Sequence, residues 1–518
     1  MKNAPHFFFK VLLLWLLFAN LGFSEETKDI IFQVERFLVE GEAPVDQRGI
    51  DRILDSFQHK EHDLKSLQDV AKTLEKEIRK QGYAFFRVIL PPQILDDGIV
   101  SLKIISFNLS AIEVEGSHYF NRENILTSLP ILKLNHSPNT RSMLEYLKVA
   151  NRHPSKRLKL VFREGEIEDT IIAKVEVTEQ KPYSISIIAN NSGTPSTGEF
   201  RLTTALHHTN LWNLDHMVHV SYTTSPDHFD TVQQYGGSYS LPIYPLKGWL
   251  TAHYAYSDVD TGVVAGDFNV SGSGEMYGIH YLQYLPRIGR YEHWLDLGID
   301  NRFFVDDVTF LGADIGSNVR STPFGIMYKG EYPWTYVRLG FHFQWVKNID
   351  FGGHNTQKHY QISRFRAEQS WDVYRYGAFS EINLAGSGWL ARVQFNAQHS
   401  DEPLIVGEQI GLGGSYTVRG YNERETSADS GEIVKFELYT PRWKGFNLLA
   451  FYDYGHGQRL QALPGEAESW AIDSVGAGMR WQWKKNVLLS VDLAHTLQES
   501  ITTNAGTNRL HASLVLRY

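Results

Sequence analysis

Apolar and polar residues alternate with a period of two from Tyr183 to Tyr518, a stretch of 336 residues. Val337, Leu339, Phe341, Phe343 and Trp345 share one face of their segment, and Arg338, Gly340, His342 and Gln344 share the other. Ala391, Val393, Phe395 and Ala397 interleave in the same way with Arg392, Gln394, Asn396 and Gln398. Val475, Ala477, Met479, Trp481 and Trp483 alternate with Ser474, Gly476, Gly478, Arg480 and Gln482. Successive Cβ atoms of a strand point to opposite faces, so this is a strand pattern and not a helical one. About sixteen strand candidates fit, at about 21 residues per strand and connection. A water-soluble sandwich alternates too. Three features favour a transmembrane β-barrel: polar faces carrying Arg, Gln, Asp and His as a wet lumen would, Trp and Tyr near segment ends as in interfacial girdles, and a last alternation (Leu510, Ala512, Leu514, Leu516, Tyr518) that finishes on an aromatic.

Ahead of this region the periodicity changes. Ile31 to Val39 reads as an extended segment ending at Gly41, and Leu67, Val70, Leu74 and Ile78 follow at helical spacing, with Ser66 as the expected N-cap and Gly82 as the stop. Ala84 to Leu90 and Ile99 to Ile105 read as strands, separated by Pro91-Pro92 and Asp96-Asp97-Gly98. The order is strand, helices, strand, strand. Residues 108–181 repeat it: Val39-Glu40-Gly41 recurs as Val114-Glu115-Gly116, Met143, Leu144 and Leu147 mark a helix, and strands fall at Leu158 to Phe162 and Thr170 to Val177. An offset of about 75 residues with matching element order is an internal repeat of one small α/β module.

Met1 to Ser24 has the layout of a secretory signal peptide: Lys2 and Lys10, the apolar run Val11 to Phe18, then small residues before Glu25-Glu26. That run is too short for a membrane anchor, and no other stretch reaches 18 consecutive apolar residues. A chain that sits in a membrane without such a helix must cross it as a closed barrel, which leaves no backbone group unpaired.

Composition narrows the chemistry. With 59 acidic against 50 basic side chains, a net charge of -9 and a pI near 6.2, a basic nucleic-acid binder is excluded. The absence of cysteine removes disulfides, thiolate metal sites and thiol catalysis. His59, Glu61, His62 and Asp63 read as a solvated turn. His207 and His208, adjacent on a strand, face opposite sides and cannot chelate together. Gly272-Ser273-Gly274 lacks the phosphate-loop lysine, and Asp306-Asp307 reads as loop charge. No catalytic, cofactor-binding or metal-ligating residue is assigned, and no enzyme activity is expected.

One segment stands apart. Leu404 to Tyr421 contains five glycines around a single arginine, Arg419. Glycine permits tight bends and close approach to a wall, and a guanidinium offers a planar fork of donors. Such a loop can fold back into the lumen and pin itself. Asp453, on the polar side of Leu449 to Gly455, is the first candidate acceptor and Glu437 the second. This stretch resembles the Val-Arg-Gly-Tyr loop of the two-partner-secretion transporters, the haemolysin-activator and filamentous-haemagglutinin exporter family among barrels that carry POTRA modules. Val418, Arg419, Gly420 and Tyr421 supply the motif, Glu408 to Gly414 its lead-in, and Tyr83 to Gln93 a similar stretch of the first module. The resemblance implies POTRA modules over 25–107 and 108–181, a 16-stranded barrel over 182–518 with the loop at 407–431, and contact between Arg419 and an aspartate on the thirteenth strand, which maps onto Asp453. It also implies an outer-membrane protein with periplasmic modules, an unfolded partner exoprotein as cargo, and contacts with outer-membrane lipid and with the barrel assembly machinery during biogenesis. About six residues between Glu25 and the first module leave no room for an N-terminal plug helix. Two other functions compete: a factor that assembles other barrels, which usually carries more than two modules, and a plain solute pore, which leaves residues 30–181 unexplained.

Overall fold

The computed structural model describes residues 30–518 except 95–96, 195–196, 230–231, 259–261, 265–267, 271–272, 306–308, 311–312, 315–316 and 385. The expected signal peptide, Asp96, Gly272 and the Asp306-Asp307 pair lie outside the described residues. No described helix is long and apolar enough to cross a membrane.

The chain forms two compact units, one of residues up to 111 with 133–141 and 164–171, the other of the remainder. In the first, β1 (Phe32–Val34) and β2 (Arg36–Glu40) are followed by α1 (Gln47–Leu54), β3 (Lys60–His62), α2 (Leu64–Lys80), β4 (Phe86–Ile89) and β5 (Ile99–Ser106). β2 runs parallel to β5, which pairs antiparallel with β4, while β1 pairs with β3. The expected single strand from Ile31 to Val39 is thus two, because Phe32–Val34 pair with β3 while Arg36–Glu40 pair with β5. Helix α2 buries Leu67, Val70, Ala71, Leu74 and Ile78, the last four against Ile50, Leu54, Phe86 and Leu102. Its N-cap is Asp63, not Ser66: the carboxylate accepts the Ser66 amide at 2.7 Å, which puts Ser66 inside the first turn.

Next come β6 (Asn108–Glu115), α3 (Arg122–Thr127), α4 (Thr140–Ala150), β7 (Lys156–Glu164) and β8 (Thr170–Glu179), with the sheet ordered β6-β8-β7. Helix α4 buries Met143, Val149 and Ala150, and Leu144 is exposed, so the apolar face lies one position round from the expected one. The repeated tripeptide has a backbone cause. Gly41 (φ +94°) and Gly116 (φ +81°) each hold a carbonyl oxygen where a Cβ would be, Ile104 O at 2.3 Å and Val177 O at 2.5 Å. Only glycine admits that approach in either copy.

The barrel is closed by sixteen antiparallel strands among the described residues: β9 (Tyr183–Asn190), β10 (Arg201–Leu211), β11 (His216–Thr224), β12 (Gln234–Ile243), β13 (Gly248–Ser257), β14 (Gly274–Tyr284), β15 (Glu292–Phe304), β16 (Val319–Ser321 with Pro323–Pro333), β17 (Val337–Asn348), β18 (Asp372–Asn383), β19 (Leu390–Ser400), β20 (Ser430–Tyr439), β21 (Phe446–Gln458), β22 (Ser469–Trp483), β23 (Val487–Thr496) and β24 (Asn508–Arg517). β24 returns to β9 and closes the ring through Ser513↔Asn190 to Arg517↔Ser186. Outward positions such as Phe341, Phe343, Phe436, Leu493 and Leu510 present an apolar surface, as a lipid-facing wall requires.

Inside the second unit a buried polar cluster joins residues before the barrel to two of its turns. Lys156 Nζ donates to Asp215 Oδ2 at 2.5 Å and to Asn124 Oδ1 at 2.7 Å, and Asn124 Nδ2 reaches Asp215 Oδ1 at 2.9 Å. Tyr244 donates to the same carboxylate, and His153 Nε2 meets Thr209 O at 2.7 Å. Lys156 and Asp215 are 1% and 0% exposed, so each charge depends on the other for its solvation. Burial pushes the His153 imidazole down to about 4, against a smaller opposing pull from Asp215.

Candidate functional site

Between β19 and β20 the chain leaves the wall and folds back into the lumen. Ile410–Leu412 and Thr426–Ala428 pair as a short hairpin that carries the Val418 to Tyr421 tip inward. The turn needs glycine at Gly413 (φ +100°), where a Cβ would meet Asn422 O at 2.5 Å, and at Gly420 (φ +98°), where it would meet Thr496 Cγ2 at 2.9 Å.

Each residue of the tip has its own seat. Val418 is buried with Leu412, Tyr421, Ile433 and Ile472. Gly420 donates its amide to His511 Nε2 at 2.9 Å. The Tyr421 hydroxyl donates to Asp473 O at 3.0 Å and Gln498 O at 2.8 Å. Arg419 is 1% exposed. Its guanidinium grips Asp453 of β21 with two donors, Nε to Oδ2 at 2.6 Å and Nη2 to Oδ1 at 2.8 Å, and its amide adds a third contact at 3.2 Å. Nη1 lies 3.0 Å from Glu437 Oε1 and 3.3 Å from Asp492 Oδ2, and the guanidinium stacks on the Phe451 ring at 3.5 Å. The planar fork matches a carboxylate in a way an ammonium does not, and stacking uses the face that the in-plane donors leave free.

One cation facing three carboxylates leaves negative charge to be balanced, and the wall supplies it. Arg480 holds Asp492 at 2.6 Å, Arg392 lies 3.7 Å from Glu437 and 2.8 Å from Glu381, and Arg338 lies 3.4 Å from Glu381 and 2.9 Å from Glu331. Opposite charges thus alternate along the lumen from β16 to β20, through Arg419, and on to β23 and β22. The lead-in has a separate anchor. Glu408, 1% exposed, accepts from Arg302 at 2.9 Å and from Ser321 at 2.6 Å, and the Asp429 carboxylate accepts the Gln409 amide at 3.0 Å and Arg364 Nη2 at 2.8 Å.

The structure therefore places Arg419, Asp453 and Glu437 in one cluster, with both candidate acceptors in contact. Asp492, Phe451 and His511 were missed by the sequence reading. The alternation that selects Asp453 also puts Ser490, Asp492 and Ala494 on one face of β23, so Asp492 carried a usable signal. Phe451 shares the strand parity of Asp453 and so faces inward, where its ring lies 3.5 Å from the guanidinium. Among the residues set aside, His62 bonds Ser66 and Phe57 O, His59 pairs with Glu35, and Asp63 caps α2, so these groups face different partners. His207 packs on His219 and His208 on Tyr183, on opposite faces.

The sequence model of the family described as haemolysin secretion/activation protein ShlB/FhaC/HecB matches residues 169–481, and that of the ShlB-type POTRA domain matches 32–106. The chain is similar to the heme/hemopexin transporter protein HuxB of Haemophilus influenzae, 22% identical over 480 residues that cover 89% of this chain and 83% of that protein. It is similar to the outer membrane transporter CdiB of Escherichia coli, 22% identical over 438 residues, covering 82% and 71%. The solved structure of CdiB from Escherichia coli superposes with a TM-score of 0.75 at 18% identity, covering 97% of this chain and 93% of that one.

Proposed function

The chain belongs to the haemolysin secretion/activation family ShlB/FhaC/HecB, and from that premise we propose how its parts divide the work of export. It is an outer-membrane transporter of the two-partner-secretion type, with its POTRA region in the periplasm and a secreted protein as its partner. In our reading residues 1–24 are the removed signal peptide, 25–107 and 108–181 are two POTRA modules, and 182–518 are the barrel. The barrel is inserted by the assembly machinery and is solvated by outer-membrane lipid. The outer strands of the two small sheets capture an extended segment of the partner by strand addition, with side-chain pockets along the edge giving specificity. A sixteen-stranded lumen admits an extended chain and not a folded domain, so the cargo passes unfolded. No nucleotide motif is present, and folding of the cargo outside makes passage one-way.

Arg419 and Asp453 hold the loop in its resting seat, and the loop shifts along the wall as cargo enters. The observation that carries this reading is a fully buried guanidinium, gripped by three carboxylates, on a loop inside a closed and otherwise wet barrel. Removing one side of such a pair strands the other charge at a cost of about 3–5 kcal/mol. Arg419→Ala and Asp453→Ala are therefore expected to abolish secretion of the partner while the barrel still reaches the membrane and keeps its heat-modifiable mobility. Normal secretion by both variants would overturn the reading. A fall in many unrelated barrels on depletion would instead favour the assembly role.

A further inference from the structure

We infer that the lumen wall formed by β13, β14 and β15 carries a binding site for one divalent transition-metal ion, with His253, His280 and Asp300 as its ligands. The three residues stand on adjacent strands, and their ligand atoms all lie within 4.8 Å of one another. Asp300 Oδ1 is 3.2 Å from His253 Nε2 and 3.1 Å from His280 Nε2. A tetrahedral ion with bonds of 2.0–2.1 Å has ligand-to-ligand edges of about 3.3 Å, so the two edges at Asp300 match a zinc-sized ion. Nitrogen and carboxylate donors without thiolate suit zinc and its neighbours, not calcium or magnesium.

Three further observations point to a built site. Glycine clears the space: a Cβ at Gly278 would sit 2.2 Å from Asp300 Oδ1 and 2.8 Å from His253 Cε1, and one at Gly298 would sit 2.4 Å from His280 Cε1. Supporting contacts orient the ligands. His280 Nδ1 faces Asp296 Oδ1 at 3.1 Å, which turns Nε2 toward the centre, and Arg302 holds Asp300 Oδ2 at 2.8 Å, which leaves Oδ1 for the ion. A carboxylate behind a ligating imidazole is the usual outer partner of such a site. Lastly, all three groups line a lumen cavity of about 800 Å³, so a water or a cargo side chain can complete the coordination. Because Arg302 also holds Glu408, the ion would stiffen the wall where the loop lead-in docks. The alternative occupant of the same geometry is a proton shared among hydrogen-bonded imidazoles and carboxylates.

Zinc decides between them. Full-length protein folded in detergent and dialysed against zinc is expected to bind one equivalent at micromolar or lower concentration, and cobalt in its place to give the intense visible bands of a tetrahedral site. His280→Ala and Asp300→Asn should lower the affinity at least 100-fold, Asp296→Asn by about 10–100-fold, and His207→Ala should leave it unchanged. Zinc should raise the unfolding temperature of the parent protein but not of His280→Ala, with heat-modifiable mobility showing that each variant is folded. Absence of stoichiometric binding by the parent, or equal binding by folded His280→Ala, would overturn the assignment. Neither result touches the export reading, which the Arg419 variants test separately.

Discussion

At the scale of single residues, the four tip positions of the lumen loop are not interchangeable, because each meets a different physical requirement. Val418 fills an apolar pocket, Arg419 neutralises carboxylates, Tyr421 satisfies two carbonyls, and Gly420 adopts a positive φ against Thr496. A methyl group at position 420 would meet both backbone strain and the threonine methyl. Gly420→Ala is expected to destabilise the docked loop by about 1–3 kcal/mol. Hydrogen exchange provides the check: the backbone amides of Arg419 and residue 420 donate to Asp453 and His511 in the parent, and a loosened tip frees them, so they should exchange faster in the variant while the barrel strands stay protected. Equal protection would mean that the tip absorbs the added carbon.

At the scale of elements, the buried cluster of Lys156, Asp215, Asn124, Tyr244 and His153 makes β7 and two barrel turns one electrostatic unit. Its pH dependence follows from His153. The folded imidazole is held near 4, below the ordinary 6.5, because burial disfavours the cation. Between those values the unfolded chain binds the proton and the folded one does not, so folding stability rises with pH across that window. The contribution is complete above about 6.5, is lost as the pH falls toward 4, and amounts to roughly 3 kcal/mol. Denaturant titrations of full-length protein at pH 7, 6 and 5 should show the decline. His153→Gln, which stays neutral, should flatten it. An unchanged slope in that variant would assign the pH dependence to other groups.

At the scale of the whole molecule, the proposed export route has the loop shift from a seat that ties it to β20, β21, β23 and β24. The cysteine-free chain offers a clean way to lock it. A Cβ built at Gly455 lies 2.9 Å from Val418 Cγ2, close to the roughly 3 Å from one Cβ to the far sulfur of a disulfide. The double variant Val418→Cys and Gly455→Cys should form a bond that holds the loop against β21. Oxidised protein is expected to block secretion of the partner, and reduction to restore it to the level of either single variant. Secretion that persists with the bond intact would mean that cargo passes beside a stationary loop.

Much of this protein was legible in its sequence because the strand wall is physically forced. A strand wall between lipid and water must alternate, and a closed ring is the one way for strands to cross without unpaired edges. The glycine-rich loop, its arginine and two acceptors were likewise readable from residue type and strand parity, and Gly41 and Gly116 betrayed the repeated module because a carbonyl occupies each Cβ position. Other features depend on which strands become neighbours. Asp492 reaches Arg419 from β23, 73 residues away along the chain, Phe451 turns inward under the guanidinium, and His253, His280 and Asp300 converge from three strands. Buried electrostatics is decided by registers and distances across the ring, and no local pattern of hydrophobicity encodes those.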